Sequence, residues 1–88
     1  MARFEAKFTP QFLVELDYWQ ETKLETAQRI ERLVDAVLTA RFSGIGKPEP
    51  LRYAKLKGCW SRRITKEHRL IYFVERGIIT FLQCRYHY

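Results

Sequence analysis

The run from Trp60 to Val74 constrains the fold of this chain more than any other stretch. Two arms rich in aromatic and β-branched residues flank the polar segment Thr65-Lys66-Glu67, which is the pattern of a β-hairpin. A further strand is predicted from Ile78 to Tyr86, after a turn at Arg76-Gly77. The chain is therefore predicted to contain a three-stranded antiparallel meander, around which its other elements are organised.

Alternation along these strands divides their side chains between two faces of the sheet. The even-numbered positions are mostly apolar and are expected to pack against helices: Ile64, Leu70, Tyr72, Val74, Leu82, Cys84 and Tyr86. The odd-numbered positions are expected to be apolar at one end of the sheet, with Ile71, Phe73, Ile79 and Phe81. At the other end the same face collects Arg63, Arg69, Arg85 and His87. This basic end has the composition of an anion-binding site.

The grouping of these basic residues depends on the lengths of the two loops. Directly opposed residues of antiparallel strands share a face, so only loops with an odd number of residues place the three arginines together. We predict three-residue loops at Thr65-Lys66-Glu67 and at Glu75-Arg76-Gly77, with Gly77 supplying a positive φ. Two-residue turns would distribute the cluster over both faces.

The N-terminal half is predicted to add one strand and two helices. Phe4, Ala6 and Phe8 alternate with charged residues, as in a half-exposed edge strand. Thr9-Pro10 is typical of a helix start, and Thr22 to Glu25 matches a capping box for a second helix.

Each helix is predicted to bury one stripe of apolar side chains. The expected core positions are Phe12, Leu13, Leu16 and Trp19 in the first helix, and Ala27, Ile30, Leu33, Val34, Val37 and Leu38 in the second. The charged residues of the second helix, Arg29 among them, are assigned to solvent. These elements predict a single α+β domain over residues 1–88, in which a helical hairpin packs on a twisted, mainly antiparallel sheet.

The charge of the chain favours a polyanionic partner. Sixteen Lys and Arg against ten Asp and Glu give a net charge of +6 on 88 residues, and a small basic domain commonly binds nucleic acid. A basic surface without such a partner is the alternative that the charge leaves open. The N-terminus lacks the apolar segment of a signal peptide, and no apolar run reaches the roughly 20 residues that span a bilayer. We therefore expect a cytoplasmic protein that does not bind membranes.

The cysteine and histidine residues do not predict a metal site. Cys59, His68, Cys84 and His87 lack the spacing of zinc ligands, and cytoplasmic chains usually keep their cysteines reduced. No cofactor is expected.

The segment from Arg41 to Pro50 is predicted to be irregular, because it is rich in glycine and proline. Prolines on both sides of Glu49 hold its backbone extended, close to Lys47. A carboxylate held in this way suits a catalytic base, but the local sequence also allows an ordinary surface residue. The terminal His87 and Tyr88 also allow two interpretations, a functional site or a capped strand end.

Several of these motifs resemble the YoeB/Txe-type toxins of the RelE superfamily, the toxic halves of bacterial toxin–antitoxin pairs. The resemblance covers nearly the whole chain and rests on Tyr18-Trp19-Gln20-Glu21-Thr22, Gly46-Lys47-Pro48-Glu49-Pro50-Leu51, Trp60-Ser61-Arg62-Arg63-Ile64-Thr65, Glu67-His68-Arg69-Leu70 and Cys84-Arg85-Tyr86-His87-Tyr88. It implies the RelE-like microbial ribonuclease fold and an mRNA endonuclease that acts in the A site of the 30S ribosomal subunit.

The resemblance also implies partners for the chain. A cognate antitoxin related to YefM and Phd would silence it, and a toxin homodimer is compatible with the family. A disordered acidic antitoxin segment would suit the basic chain. We expect such a segment to cover the arginines and the apolar end of the odd-numbered face.

Individual roles follow from the matched motifs. The resemblance places a catalytic glutamate at Glu49, a catalytic arginine at Arg69, and further catalytic residues at His87 and Tyr88. It places a phosphate-binding arginine at Arg63. Other basic residues are expected to contact phosphate or ribosomal RNA: Lys47, Arg52, Lys55, Lys57, Arg62, Lys66 and Arg85.

These residue types suit RNA cleavage by the RNA's own 2′-hydroxyl, without a metal. Glu49 can accept the 2′-hydroxyl proton, and His87 can protonate the leaving 5′-oxygen. Arg63 and Arg69 can bind phosphate oxygens and stabilise the pentavalent phosphate. The competing interpretation is a non-enzymatic binder of RNA or of a protein target, which would not need Glu49, Arg69 and His87 together.

Overall fold

Two helices pack on a five-stranded sheet in a computed structural model of the chain, which describes residues 4–52 and 58–86. The elements are β1 (Glu5–Phe8), α1 (Pro10–Thr22), α2 (Leu24–Thr39), β2 (Glu49–Pro50), β3 (Cys59–Arg63), β4 (Arg69–Glu75) and β5 (Ile78–Gln83). The strand order is β1-β5-β4-β3-β2. In this sheet β1 runs parallel to β5, and the other neighbours are antiparallel. The predicted α+β fold, a helical hairpin on a mainly antiparallel sheet, is confirmed.

The start of α1 follows the local sequence. The side chain of Thr9 accepts a hydrogen bond from the backbone N–H of Phe12, and Pro10 is the first helical residue, as predicted. Thr9 Oγ1 also donates to the carbonyl oxygen of Leu82 at 2.7 Å, which ties the cap to the end of β5. Leu13 is 52% exposed rather than part of the core, because it lies about 100° around the helix from Phe12.

The start of α2 differs from the prediction. Thr22 lies in the last turn of α1, where its hydroxyl donates to the carbonyl oxygen of Tyr18 at 2.7 Å. The N-cap of α2 is Lys23, which makes no side-chain cap hydrogen bond. The capping-box prediction is wrong because Lys23 alone separates the two helices, and this leaves Thr22 inside the first of them.

The core lies between the helices and the sheet. Its buried members are Phe12, Trp19, Ala27, Ile30, Leu33, Val37, Leu38, Ile64, Leu70, Tyr72, Ile79, Phe81 and Cys84. The predicted stripe of α2 is confirmed, with Val34 partly buried against the cluster. Burying each large apolar side chain contributes roughly 1.5–3 kcal/mol to folding, so this cluster is the main source of stability.

The turn between β4 and β5 is shorter than predicted. Glu75 pairs with Ile78, and the two residues of the turn Arg76-Gly77 have φ of 39° and 81°. Two consecutive positive φ values are the geometry of a type I′ hairpin turn. The even turn length moves Ile79 and Phe81 into the core, where both are fully buried. The prediction of a three-residue loop at Glu75-Arg76-Gly77 is therefore wrong. The prediction that Ile79 and Phe81 lie at the apolar end of the odd-numbered face is also wrong.

A β-bulge in β5 reverses this shift further along the strand. Tyr72 pairs with Phe81, whereas its neighbour Ile71 pairs with Gln83, so Leu82 is an extra residue on β5. An extra residue changes the alternation by one position. Gln83 therefore returns to the odd-numbered face of β4.

Candidate active site

The β3–β4 hairpin brings two arginines together on one face of the sheet. Arg63 and Arg69 are directly opposed partners, which is the register predicted from a three-residue loop. The backbone N–H of Ile64 donates to the carbonyl oxygen of His68 at 2.9 Å, so the pairing extends one step beyond the strands. The residues left to form the turn are Thr65-Lys66-Glu67, and the predicted register is confirmed.

The short strand β2 adds a carboxylate to these arginines. Glu49 pairs with Ser61 of β3, which places it on the face that carries Arg63. Its Oε1 lies 3.6 Å from Arg69 Nη1 and 4.0 Å from Arg63 Nη2. Arg69 Nη1 also donates to Ser61 Oγ at 3.3 Å. The prediction that Arg41 to Pro50 forms no ladder is wrong at its end, because Glu49 and Pro50 pair with β3.

These side chains remain accessible. The exposed fraction is 51% for Glu49, 49% for Arg63 and 27% for Arg69. Ion pairs this exposed contribute only about 0–1 kcal/mol to folding. A contribution to stability therefore does not explain why these three side chains lie together. Their accessibility favours contact with a ligand. A carboxylate and two guanidinium groups on one face can bind a phosphate and accept a proton beside it.

Arg62 does not belong to this surface. It is fully buried, and its guanidinium donates to the carbonyl oxygens of Ala40 (2.5 Å), Ser43 (2.8 Å) and Ile45 (3.1 Å). The prediction that Arg62 contacts phosphate or ribosomal RNA is wrong. Consecutive strand residues point to opposite faces, so Arg62 shares the buried face with its partner Leu70.

Arg85 lies against the first helix. Its guanidinium carbon is 3.7 Å from the centre of the Tyr18 ring and 4.9 Å from that of the Tyr86 ring. The prediction that Arg85 shares a face with Arg63 and Arg69 depends on strand alternation. Strand β5 ends at Gln83, so alternation does not set the direction of the Arg85 side chain. Tyr86 is 56% exposed, so the prediction that it packs in the core is also wrong.

The remaining predicted site residues fall into two groups. Lys47, Arg52 and Lys66 are exposed and available to a ligand. The others, Lys55, Lys57, His87 and Tyr88, lie outside the described residues. The roles expected for this second group stay predictions from the sequence and the resemblance.

The backbone that precedes His87 is held beside the two arginines. The N–H of Tyr86 donates to His68 Nδ1 at 2.6 Å, and its carbonyl oxygen accepts from the N–H of Arg69 at 3.1 Å. The His68 ring packs edge-on against Trp19, with centroids 4.7 Å apart. Tyr86 has a φ of 61°, an uncommon conformation for a residue other than glycine. No local sequence pattern indicates this role of His68, because it depends on contacts between distant segments.

Arg29 is a second residue whose role the sequence does not indicate. The prediction that it faces solvent is wrong, because its Nε donates to the carbonyl oxygen of Ile64 at 2.9 Å and its Nη2 to that of Arg63 at 3.0 Å. These bonds attach the end of β3 to α2. An arginine beside a helix core stripe is too common a pattern to indicate this contact.

Neither a metal cluster nor a membrane-spanning helix is found in residues 4–52 and 58–86. No group of three or more His, Cys, Asp or Glu side chains in these ranges converges as metal ligands would. No helix in them is both long enough and apolar enough to cross a bilayer.

The fold is that of small bacterial toxins. The chain superposes on the YoeB/ParE toxin from Agrobacterium tumefaciens with a TM-score of 0.90, at 36% identity, over 96% of this chain and 99% of that one. The YoeB dimer structure from Staphylococcus aureus gives a TM-score of 0.88, at 38% identity, over 99% of this chain and 100% of that one. Escherichia coli YafQ is only 14–17% identical to this chain and shows the fold alone.

The sequence identifies the family. The model of the YoeB-like toxin of bacterial type II toxin–antitoxin systems matches residues 8–88. Toxin YoeB of Escherichia coli K12 is 48% identical over 71 residues, which cover 81% of this chain and 83% of that protein. Toxin RelK of Mycobacterium tuberculosis is 46% identical over 81 residues, which cover 92% of this chain and 94% of that protein. The chain belongs to the YoeB-like toxin family.

Proposed function

We propose that this chain is an endoribonuclease toxin that cleaves mRNA in the A site of the 30S ribosomal subunit. The observation that carries the proposal is the placement of the Glu49 carboxylate 3.6 Å from Arg69 and 4.0 Å from Arg63, with all three side chains accessible. A binding surface for RNA needs the arginines, but it gains nothing from a carboxylate that repels phosphate. In a nuclease, that carboxylate can act as the general base. A ribosomal target places the proposed activity in the bacterial cytoplasm.

The proposed reaction is an in-line transfer within the RNA. Glu49 removes the proton of the 2′-hydroxyl, and the 2′-oxygen attacks the adjacent phosphorus. The bond from phosphorus to the 5′-oxygen breaks, and His87 gives that leaving oxygen a proton. The products are a 2′,3′-cyclic phosphate, or the 3′-phosphate formed from it by water, and a 5′-hydroxyl. We assign Tyr88 to stacking on a base or orienting the phosphate.

The arginines supply the positive charge for this reaction. Each guanidinium can donate two parallel hydrogen bonds to phosphate oxygens, and the charge that develops on the pentavalent phosphate strengthens these bonds. Glu49 occupies part of the same region before RNA binds. A phosphate between Arg63 and Arg69 would take over their N–H groups and leave the carboxylate free to accept the proton. The proposed chemistry needs no metal ion.

The proposed partners are an antitoxin, the ribosome and mRNA. The Staphylococcus aureus YoeB, 38% identical to this chain, has been solved as a heterotetrameric complex with YefM and as a dimer. We propose a YefM-like antitoxin for this chain, and a homodimer as its second assembly. Since Ile79 and Phe81 lie in the core, the surface we propose for an acidic antitoxin segment is the arginine cluster.

The proposed function is tested by mapping cuts in an mRNA with purified protein, with and without translating ribosomes. We expect 5′-hydroxyl ends inside codons, and only when ribosomes are present. Glu49→Gln and His87→Ala should weaken the cuts. Equal cutting of naked RNA would refute the dependence on the ribosome. No cutting in either condition would refute the enzyme and favour the non-enzymatic binder.

A further inference from the structure

The buried side chain of Arg62 contacts the segment that delivers Glu49 to the candidate site. Residues 40–48, which we call the carboxylate loop, connect the end of α2 to Glu49. The guanidinium of Arg62 lies inside this loop and donates to the carbonyl oxygens of Ala40, Ser43 and Ile45. One buried side chain thus binds three separated points of the loop backbone.

Tyr72 extends this set of hydrogen bonds. Its hydroxyl accepts from Arg62 Nε at 3.3 Å and donates to the carbonyl oxygen of Arg41 at 2.7 Å. Burial raises the pKa of the Tyr72 hydroxyl, although the hydrogen bond and charge of Arg62 act in the opposite direction. The hydroxyl therefore keeps its proton at neutral pH. Two side chains of the β3–β4 hairpin together bind four carbonyl oxygens of the carboxylate loop.

The loop follows the surface of Arg62 closely. Gly44 has a φ of 111°, and a Cβ added there would lie 3.2 Å from Arg62 Nη1. Gly46 has a φ of 85°, and a Cβ there would lie 2.8 Å from Leu33 Cδ2 and 3.1 Å from Arg62 Cβ. The carbonyl oxygen of Gly46 accepts from the N–H of Arg63 at 2.7 Å. The loop is therefore attached to β3 just before Glu49.

Core stability alone does not account for a guanidinium at this position. Burying a charged group costs free energy that only complete hydrogen bonding offsets. An apolar side chain of similar size often gives equal or better stability at such a position. An apolar side chain would, however, leave the carbonyl oxygens of Ala40, Ser43 and Ile45 without these donors. The feature that requires arginine is the conformation of the carboxylate loop.

We propose that Arg62 is a positioning residue for the proposed reaction. It acts through the carboxylate loop to hold Glu49 beside Arg63 and Arg69, and it does not contact RNA. A displacement of about 1 Å at a reacting group can cost roughly 100-fold in rate, so loss of these bonds is expected to appear in catalysis. The kinetic part of this inference rests on the proposed function, whereas the ordering of the loop does not.

The kinetic test compares Arg62→Lys with a matched core variant, Ile79→Ala. Lysine keeps the charge and the stem but cannot reach three carbonyl oxygens from one planar group. We expect kcat for ribosome-bound mRNA to fall about 100-fold and KM to change less than threefold. Ile79 is fully buried on β5, so Ile79→Ala lowers stability but should leave kcat unchanged at temperatures where it is folded. Equal loss of kcat in both folded variants would overturn the proposal.

The structural test measures hydrogen exchange at the amides of Arg63 and Leu51, which donate to Gly46 and Cys59. Both should exchange faster in Arg62→Lys and remain protected in Ile79→Ala. Tyr72→Phe removes a single hydroxyl and serves as the test variant if Arg62→Lys does not fold. It should increase the exchange rates of the same two amides by a smaller factor. Unchanged exchange in these variants would overturn the proposal. If the wild type does not cut RNA, the proposed function is refuted. The hydrogen-exchange result then decides by itself whether Arg62 orders the carboxylate loop.

Discussion

The carboxylate of Glu49 lies 3.6 Å from the guanidinium of Arg69, on the face of the sheet opposite the buried side chain of Arg62. The two residues come from strands that are not neighbours, since β3 lies between β2 and β4. Their contact therefore depends on two separate pairings, of Glu49 with Ser61 and of Arg63 with Arg69. This relationship determines which substitutions should affect catalysis without affecting the fold.

Glu49→Gln should abolish most cleavage with little change in stability. The substitution keeps the size of the side chain and removes its capacity to accept a proton, and loss of a general base commonly costs roughly 100- to 10,000-fold in rate. The side chain is 51% exposed, so the melting temperature should stay close to that of the wild type. Single-turnover cleavage on ribosomes and thermal unfolding are the measurements. Wild-type cleavage by this variant would exclude Glu49 as the base.

Arg69→Lys should reduce cleavage more than Arg63→Lys. Lysine keeps the charge but not the planar pair of donors that matches phosphate. Arg69 is less exposed than Arg63, at 27% against 49%, and also contacts Ser61, so it is held more firmly. The comparison is made on kcat for both variants, with Lys7→Ala as the control, because Lys7 is exposed on β1 at the opposite edge of the sheet from Glu49. A larger loss in Arg63→Lys would reverse the proposed order of the two arginines.

Stability should fall at alkaline pH because the thiol of Cys84 is buried. Desolvation, with a smaller effect from the charge of Glu15, raises its pKa from 9.0 to about 12. From about pH 9 upward the unfolded chain loses this proton while the folded chain keeps it, so unfolding becomes more favourable until about pH 12. One such group lowers stability by at most about 1.4 kcal/mol per pH unit. Urea unfolding between pH 8 and 10.5 measures this slope.

Cys84→Ala is the control for the alkaline effect. It removes the ionisable group, so the free energy of unfolding should decrease less steeply with pH than that of the wild type, although it starts lower at pH 8.

The two thiols should react slowly with a thiol reagent in the folded protein. Cys59 and Cys84 are both free and buried, and burial raises the pKa of each. Rapid reaction of both with a thiol reagent in the folded protein would contradict this account.

Thr9→Ala should destabilise the chain, and Thr22→Ala should not. Thr9 caps α1 and also donates to Leu82, and loss of an N-cap typically costs about 1 kcal/mol. Thr22 is exposed and bonds only within α1 among the hydrogen bonds that the structure describes for it. Chemical unfolding of both variants measures the difference. Equal destabilisation would restore a capping role to Thr22.

The elements whose cause is local follow from the sequence. Alternating side chains predicted the hairpin and the opposition of Arg63 to Arg69, which the structure confirms. The helix start at Thr9 and the buried stripe of α2 depend on neighbouring residues in the same element. The sequence motifs are sufficient to identify the family, and they single out Glu49, which the structure places beside the arginines.

What each basic side chain contacts depends on the tertiary fold. Arg62 and Arg63 are adjacent and chemically identical, yet one binds the carboxylate loop in the interior and the other lies on the surface. The turn Arg76-Gly77 fits loops of two or three residues equally well, and the bulge at Leu82 has no sequence signal of its own. The physical reason is that alternation relates a residue to its neighbours along the chain. A long polar side chain instead bonds to whatever backbone the fold brings within its reach.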